Sequence, residues 1–271
     1  MPAKPPFKTP AAKAAPRSHA RSPDRPEGDR IAKLLARAGI ASRREIERMI
    51  AEGRIALDGK VLETPATILT DLKGVTVDGK PVAAPEPAQL YAFHKPTGLI
   101  TAERDPAGRP TIYTALRNAL PKGTPRLMPI GRLDLNTEGL LLLTNDGGLS
   151  RLLERSDWLR RYRVRVWGRP DVARLKALSR GITVDGVRYG PIEAALDSSS
   201  ASNAWLTLGL KEGKNREVRR VLEHLGLQVN RLIRPAYGPF QLGNMKRGAV
   251  ARVPPKVVRE QLGENNAHRR R

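Results

Sequence analysis

The sequence predicts an α+β protein in two parts, a small N-terminal α/β unit followed by a larger mixed domain with a largely antiparallel sheet. Three observations predict it. Residues 29–82 show apolar spacing of helical period, then two Asp-Gly turns between short β-type runs. From Gln89 to about Val258, strand-like and helix-like segments mix without the strict alternation of a parallel βαβ fold. Between them Ala83-Ala84-Pro85-Glu86-Pro87-Ala88 reads as a proline-containing linker, semi-rigid at most.

In chain order, residues 1–28 hold Pro2, Pro5, Pro6, Pro10, Pro16, Pro23 and Pro26 among Ala, Ser, Lys and Arg. That much proline opposes a helix, and few apolar residues remain to offset chain entropy, so a disordered basic arm is expected. Its six Lys/Arg against two acids suit either an RNA tether or a solubilising tail. It lacks the apolar centre of a secretory signal; its scarcity of acids leaves an organellar transit peptide open, which the prolines oppose. In 29–82, Ile31, Leu34, Leu35 and Ala38 predict a first helix stopped by Gly39. Ser42-Arg43-Arg44-Glu45 has the capping-box form and starts a second helix with Ile46, Met49 and Ile50 on its apolar face. Arg54 to Leu62 turns at Asp58-Gly59, and Val75 to Val82 repeats the design at Asp78-Gly79. In the larger domain, strands are expected at 90–94, 140–143, 162–167, 182–184, 204–210 and 229–233, and helices at 111–119, 147–155, 171–179 and 215–225. Residues 259–271, ending in Arg269-Arg270-Arg271, read as a frayed basic tail.

Composition narrows the function. With 271 residues, 39% of them hydrophobic, the chain can bury a sizeable core. Its net charge of +22 points to a polyanion, nucleic acid first. An anionic membrane is the competitor, but no apolar stretch approaches the ~18 residues a spanning helix needs, and no basic amphipathic anchor is evident. The absence of cysteine excludes disulfides, thiolate nucleophiles and Cys-ligated zinc, and fits a reducing cytoplasm. His19, His94, His224 and His268 have no metal-ligand spacing, so no metal site is expected.

The densest signal is Met128 to Gly147. Asp134 stands beside Arg132 and between Leu133 and Leu135, just ahead of Leu140-Leu141-Leu142-Leu143, which reads as a buried strand. Asp134 then lies on the connection into the core sheet, where a rigid scaffold can hold a reactive group. From its residue type alone, a solvated turn or helix cap is the commoner role for such an Asp.

Gly131-Arg132-Leu133-Asp134, Thr137, Gly139-Leu140 and Thr144-Asn145-Asp146-Gly147 resemble the signature of the RsuA/RluB/RluE/RluF family of ribosomal RNA pseudouridine synthases. The resemblance implies that Asp134 is the catalytic residue and that no cofactor is used. Residues 29–82, with Gly39 to Arg44 the most recognisable part, are similar to the S4-type RNA-binding domain. This implies RNA contact through Arg43, Arg44 and Arg48 at the second helix and Lys33 and Arg37 on the first. A helix N-terminus flanked by arginines also suits phosphate. The competing reading is an ordinary solvated face, since this segment has ten Lys/Arg and eight Asp/Glu.

Glu212 to Arg220 resembles the family's third motif, which implies that a basic residue here pairs with Asp134. Arg219 matches best, with Arg216 and Arg220 as positional alternatives. Arg161-Tyr162-Arg163-Val164 resembles the second motif, which implies that Tyr162 stacks on the target base. Alternation puts Tyr162, Val164 and Val166 on the inner face, which equally suits a plain core tyrosine. A uridine inside folded RNA must be flipped into an apolar or aromatic pocket, for which Tyr162, Leu133, Leu232 and Ile233 are the candidates. Arg132, Arg231 and Arg234 are expected to hold phosphates, and Arg109, in the Asp105–Pro110 loop, to touch RNA. Arg216-Glu217, together with 107–111 and 231–234, is more similar to the RluB-type branch, which implies 23S rather than 16S rRNA, free or in an assembly intermediate, as the partner of a cytoplasmic monomer. The rivals are a noncatalytic RNA-binding or ribosome-assembly protein and a different RNA-modifying enzyme. The absence of a glycine-rich cofactor loop argues against methyl transfer.

Overall fold

The structure, a computed structural model, describes residues 27–262. Most of the proline-rich arm expected over 1–28, and residues 263–271 of the basic tail, lie outside the described residues. The N-terminal unit runs β1 (Asp29–Arg30), α1 (Ile31–Arg37), α2 (Arg43–Ala51), β2 (Ile55–Leu57), β3 (Lys60–Val61), β4 (Ile68–Leu69), β5 (Val75–Val77) and β6 (Lys80–Pro81). The Ser42 hydroxyl accepts the Glu45 amide at 3.3 Å, so the first half of the capping box forms. The Glu45 carboxylate does not return to the cap and pairs with Arg48 instead. Asp58-Gly59 and Asp78-Gly79 all take positive φ, the twist that two-residue hairpins require. Ile31, Leu35, Ile46, Ile50 and Ile55 close a core of their own.

The larger part continues with β7 (Leu90–Lys95), α3 (Ile112–Ala119), β8 (Met128–Pro129), β9 (Thr137–Thr144), α4 (Gly147–Glu154), β10 (Arg160–Trp167), α5 (Val172–Ala177), β11 (Ile182–Val184), β12 (Val187–Tyr189), β13 (Ile192–Ser199), β14 (Asn203–Leu210), α6 (Glu217–His224), β15 (Gln228–Tyr237), β16 (Phe240–Gln241), β17 (Val250–Arg252) and α7 (Pro255–Leu262). One sheet runs β13-β14-β10-β15-β9-β7-β17, with β16 on β15 and β8 on β9. Within it the pairings are antiparallel except β9 against β15. At that parallel junction Gly139 has φ +115°, and a Cβ there would stand 2.4 Å from the Arg234 carbonyl oxygen, so only glycine lets the two backbones meet.

The leucine run explains why β9 sits centrally. Leu140 and Leu142 pack toward Leu149 and Leu153 of α4, while Leu141 and Leu143 pack toward Ile112 and Leu116 of α3. A strand covered on both faces needs a continuous apolar run. β13 escaped the sequence reading because, as an edge strand, it exposes all but two of its eight residues and carries a polar sequence. The frayed tail expected from residue 259 is corrected at its start. Residues 259–262 complete α7, and Val257, Val258 and Leu262 pack against the α4 side of the core.

The two parts touch through Thr144-Asn145-Asp146. The Asn145 carboxamide accepts from the Gln89 amide at 2.7 Å and donates to the Pro87 carbonyl at 3.0 Å, so the end of the 83–88 linker is tied to β9. Asp146 caps α4 by accepting from the Gly148 and Leu149 amides, and its other oxygen lies 3.5 Å from Arg37 of α1.

Candidate active site

Asp134 lies on the seven-residue connection between β8 and β9 and lines an open cleft of about 600 Å³, inside the roughly 300–1,000 Å³ range of small-molecule sites. The connection is held by its own carbonyls. Leu133 O accepts from the Thr101 hydroxyl at 2.7 Å. Asp134 O accepts from Lys95 Nζ at 3.0 Å and from the Thr137 amide at 3.0 Å. Leu135 O accepts from the Gly98 amide at 2.8 Å, Asn136 O from Arg219 Nη2 at 2.8 Å and Thr137 O from Lys95 Nζ at 2.9 Å. Five successive carbonyls are thus occupied, which fixes the backbone and leaves the Asp134 carboxylate about one-third exposed to the cleft.

Two buried cations do much of this fastening. Lys95 is fully buried at the end of β7, and burial pushes its ammonium down to about 8 against the pull of Asp134 and Glu138. Arg219 is lowered first by burial and then by the Arg216 charge, with Asp134 opposing. The ion pair with the carboxylate is made by Arg216, with Nη1 3.8 Å from Asp134 Oδ2. Of the three arginines that the third motif offers, Arg219 therefore holds the loop through Asn136 O and Val229 O, Arg216 faces the carboxylate, and Arg220 is exposed off the cleft. Arg216 takes a left-handed backbone (φ 52°, ψ 29°) as it leads into α6, a conformation that is costly for a long side chain and needs support from its surroundings.

The remaining candidates divide by strand alternation and burial. Tyr162 is half-buried on the inner face of β10 and lines the cleft, as do Leu133 and Leu232. Ile233 does not: on β15 the cleft side carries Leu232 and Arg234, so period two sends Ile233 into the opposite core. Arg132 is exposed at the lip. Arg234 is corrected from a surface phosphate contact. It is 2% exposed, donates through Nε to Leu140 O at 2.9 Å and lies over the Tyr237 ring. Arg231 pairs with buried Glu138, which Arg247 also holds at 2.8 Å. Burial would raise Glu138, and the Arg231 and Arg247 guanidiniums override it and hold it low. Arg109 grips Asp105 with Nε and Nη2 inside its own loop, away from the cleft, and holds that carboxyl down at about 2.

On the N-terminal unit Arg43 and Arg44 are exposed, while Lys33 and Arg48 pair with Asp29 and Glu45 and Arg37 reaches Asp146. Lys33, Arg37 and Arg43 line a second cavity of about 710 Å³ between the two parts, with Arg126 and Arg151 on its far side.

Sequence reasoning missed Lys95, Thr101, Arg160 and Glu217. Lys95 sits one residue beyond the expected strand. A lysine closing an apolar strand just before a proline was the available signal. Arg160 donates to Lys211 O, Glu154 O and the Tyr237 hydroxyl, and lies over the Tyr237 ring. Four buried side-chain atoms lack a partner among the described residues: Thr137 Oγ1, Glu217 Oε1, Arg219 Nε and Arg234 Nη2. All four residues line this one cleft, so unused hydrogen-bonding capacity is concentrated there.

Residues 89–224 match a family described as RNA pseudouridylate synthase, and residues 29–74 match the S4 domain. An uncharacterized RNA pseudouridine synthase of Rickettsia felis is 42% identical over 231 residues, 84% of this chain and 98% of that protein. Ribosomal large subunit pseudouridine synthase B of Escherichia coli is 41% identical over 79% of this chain and 75% of its own length. Among solved structures, a pseudouridylate synthase aligns with a TM-score of 0.58 at 23% identity over 86% of this chain and 99% of that one, a likeness of fold.

Proposed function

The chain belongs to the RNA pseudouridylate synthase family, and we propose that it isomerises one uridine of large-subunit (23S) ribosomal RNA, with Asp134 as its catalytic carboxylate. The observation that carries this reading is the loop itself: five occupied carbonyls hold one partly exposed carboxylate against a cationic cleft. The large-subunit assignment rests on the relatives named for that substrate.

The reaction breaks N1–C1′, turns the uracil and forms C5–C1′. C5 gives up a proton and N1 gains one, so atoms balance without an external reagent. The target must leave its stack, at a cost of a few kcal/mol, before Asp134 can reach it. Tyr162 offers the ring on which the base rests, and Leu133 and Leu232 supply apolar wall. Asp134 acts on the flipped nucleotide by addition to C1′ or to the base, or by removing a sugar proton. Arg216, 3.8 Å from the carboxylate, directs it as RNA phosphates approach, since a guanidinium fork orients a carboxylate. Arg132, at the lip, meets the backbone of the incoming strand, and Arg43 and Arg44 hold a flanking helix. The enzyme works as a cytoplasmic monomer.

The test is carbodiimide labelling with primer extension on rRNA from cells with and without the gene. Loss of one stop in 23S rRNA on deletion is the expected result. Loss in 16S rRNA would move the substrate to the small subunit. An unchanged pattern, with the protein still bound to pre-ribosomal particles, would favour the noncatalytic assembly role.

A further inference from the structure

The connection from β14 to α6 carries Arg216 at its end and is fastened by two glutamates. Glu212 Oε1 accepts from the Gly190 amide at 2.7 Å, and its other oxygen accepts from Lys214 Nζ at 2.8 Å. Lys214 Nζ also donates to Arg188 O at 2.7 Å, so the turn is tied to β12 as well as to the β12–β13 connection at Gly190. Glu217 is 4% exposed, and its Oε2 accepts from the Lys214 amide at 2.9 Å. Its Oε1 is buried without a partner among the described residues, and both the Glu212 and Glu217 carboxyls fasten on Lys214 and line the same cleft. Two ionised carboxylates in that arrangement repel and leave Oε1 unsatisfied. A single proton between them removes both costs.

We propose that Glu217 is a positioning residue that works in its protonated form: its carboxyl donates to the Glu212 carboxylate and thereby locks the 212–216 turn with Arg216 held in the left-handed conformation that faces Asp134. The inference rests on the proposed role of Asp134 and adds a control on it. The charged groups that line the cleft with Glu217 are Glu212 and Lys214 on the turn, Arg216 and Arg219 beside it, Arg160 from β10, Arg234 from β15, Glu154 from α4, and Arg132 and Asp134 on the β8–β9 connection. Burial first, and the Glu212 charge after the opposing Lys214 amide, push Glu217 up. Burial would raise Glu212 as well, but the Gly190 amide and Lys214 override it and keep Glu212 low, so the proton resides on Glu217. Loss of that proton sets two carboxylates against one lysine, loosens the turn and releases Arg216.

The experiment measures tritium release from 23S rRNA transcript labelled at uracil C5, from mildly acidic to mildly alkaline pH, for the full chain, Glu217→Gln and Glu217→Ala. The wild-type rate is expected to fall through a one-proton limb near pH 7. Glu217→Gln keeps the donor and cannot ionise, so it should stay within about threefold of the wild-type acid plateau while that limb disappears; Glu217→Ala should be at least about tenfold slower at every pH. A wild-type limb retained in Glu217→Gln, or a Gln variant as slow as the Ala variant, overturns the proposal. A second measurement is independent of turnover: infrared spectra of the full chain at neutral pH should contain a protonated-carboxyl band that Glu217→Gln lacks. If the wild type releases no tritium, the reading of Asp134 fails by itself, and this band still decides whether the shared proton exists. Its absence overturns the inference.

Discussion

The cations around Asp134 and those on the first two helices share a chemistry and differ in what they already hold. Lys95 and Arg219 are buried and direct their donors at carbonyls of the 131–137 loop. Arg43 and Arg44 are exposed, and Lys33 and Arg48 hold only acids of their own helix or its entry. Buried donors that satisfy backbone acceptors are scaffold, because leaving either side unpaired costs the full desolvation of that group. Exposed arginines in high dielectric gain little from local pairs and stay free for phosphates. In this chain the cations that fasten the Asp134 loop are the least exposed. Arg216, partly exposed at 3.8 Å from the carboxylate, stands between the two classes.

That division can be broken in order of expected effect. Asp134→Asn should reduce pseudouridine formation by at least about a thousandfold while RNA affinity stays within about threefold, because the loop is fixed through backbone atoms that the substitution leaves alone. Retained turnover would remove Asp134 from the mechanism. Lys95→Met should cost about 2–4 kcal/mol in denaturant unfolding, since three carbonyls lose their donor together. Its pH signature has a definite sign. The folded-state ammonium is depressed to about 8 from 10.5, so between those values the unfolded chain binds the extra proton. This group's contribution therefore raises stability with pH across that window, and Lys95→Met should abolish that rise. Equal slopes in both proteins would mean that the buried amine is not the group responsible.

Arg219→Ala should lower both stability and rate, the latter by about a hundredfold, because Asn136 O and Val229 O lose their donor and the loop slackens. Arg216→Ala should lower only the rate, by about tenfold, with an unchanged unfolding midpoint. If the two variants exchange these profiles, scaffold and ion-pair roles have been assigned the wrong way round. The smallest effect belongs to the exposed face. Arg43→Ala with Arg44→Ala should reduce the slope of log affinity against log salt by about 1–2, one phosphate for each arginine. An unchanged slope would place the RNA contacts entirely on the larger part.

Much of this was legible in the chain. The capping Ser42, the two Asp-Gly turns and the leucine run state their structures locally, since caps, hairpins and doubly covered strands depend on residues close in sequence. The motif around Asp134 placed the carboxylate on the connection into β9, and alternation in β10 placed Tyr162 on the inner face. The same rule, carried one strand further, would have separated Leu232 from Ile233. What no local pattern expressed was the burial of the cations. Arg219, Arg231 and Arg234 look alike on paper, yet one holds the Asp134 loop, one pairs with Glu138 and one is sealed against Tyr237. An arginine's task depends on which carbonyls and carboxylates surround it, and those partners come from strands and loops up to about ninety residues away. Sequence alone determined the elements whose signals are local and where Asp134 sits along the chain. Only tertiary structure decided which cations are free to meet a polyanion, because desolvation is a property of the assembled sheet and not of any segment within it.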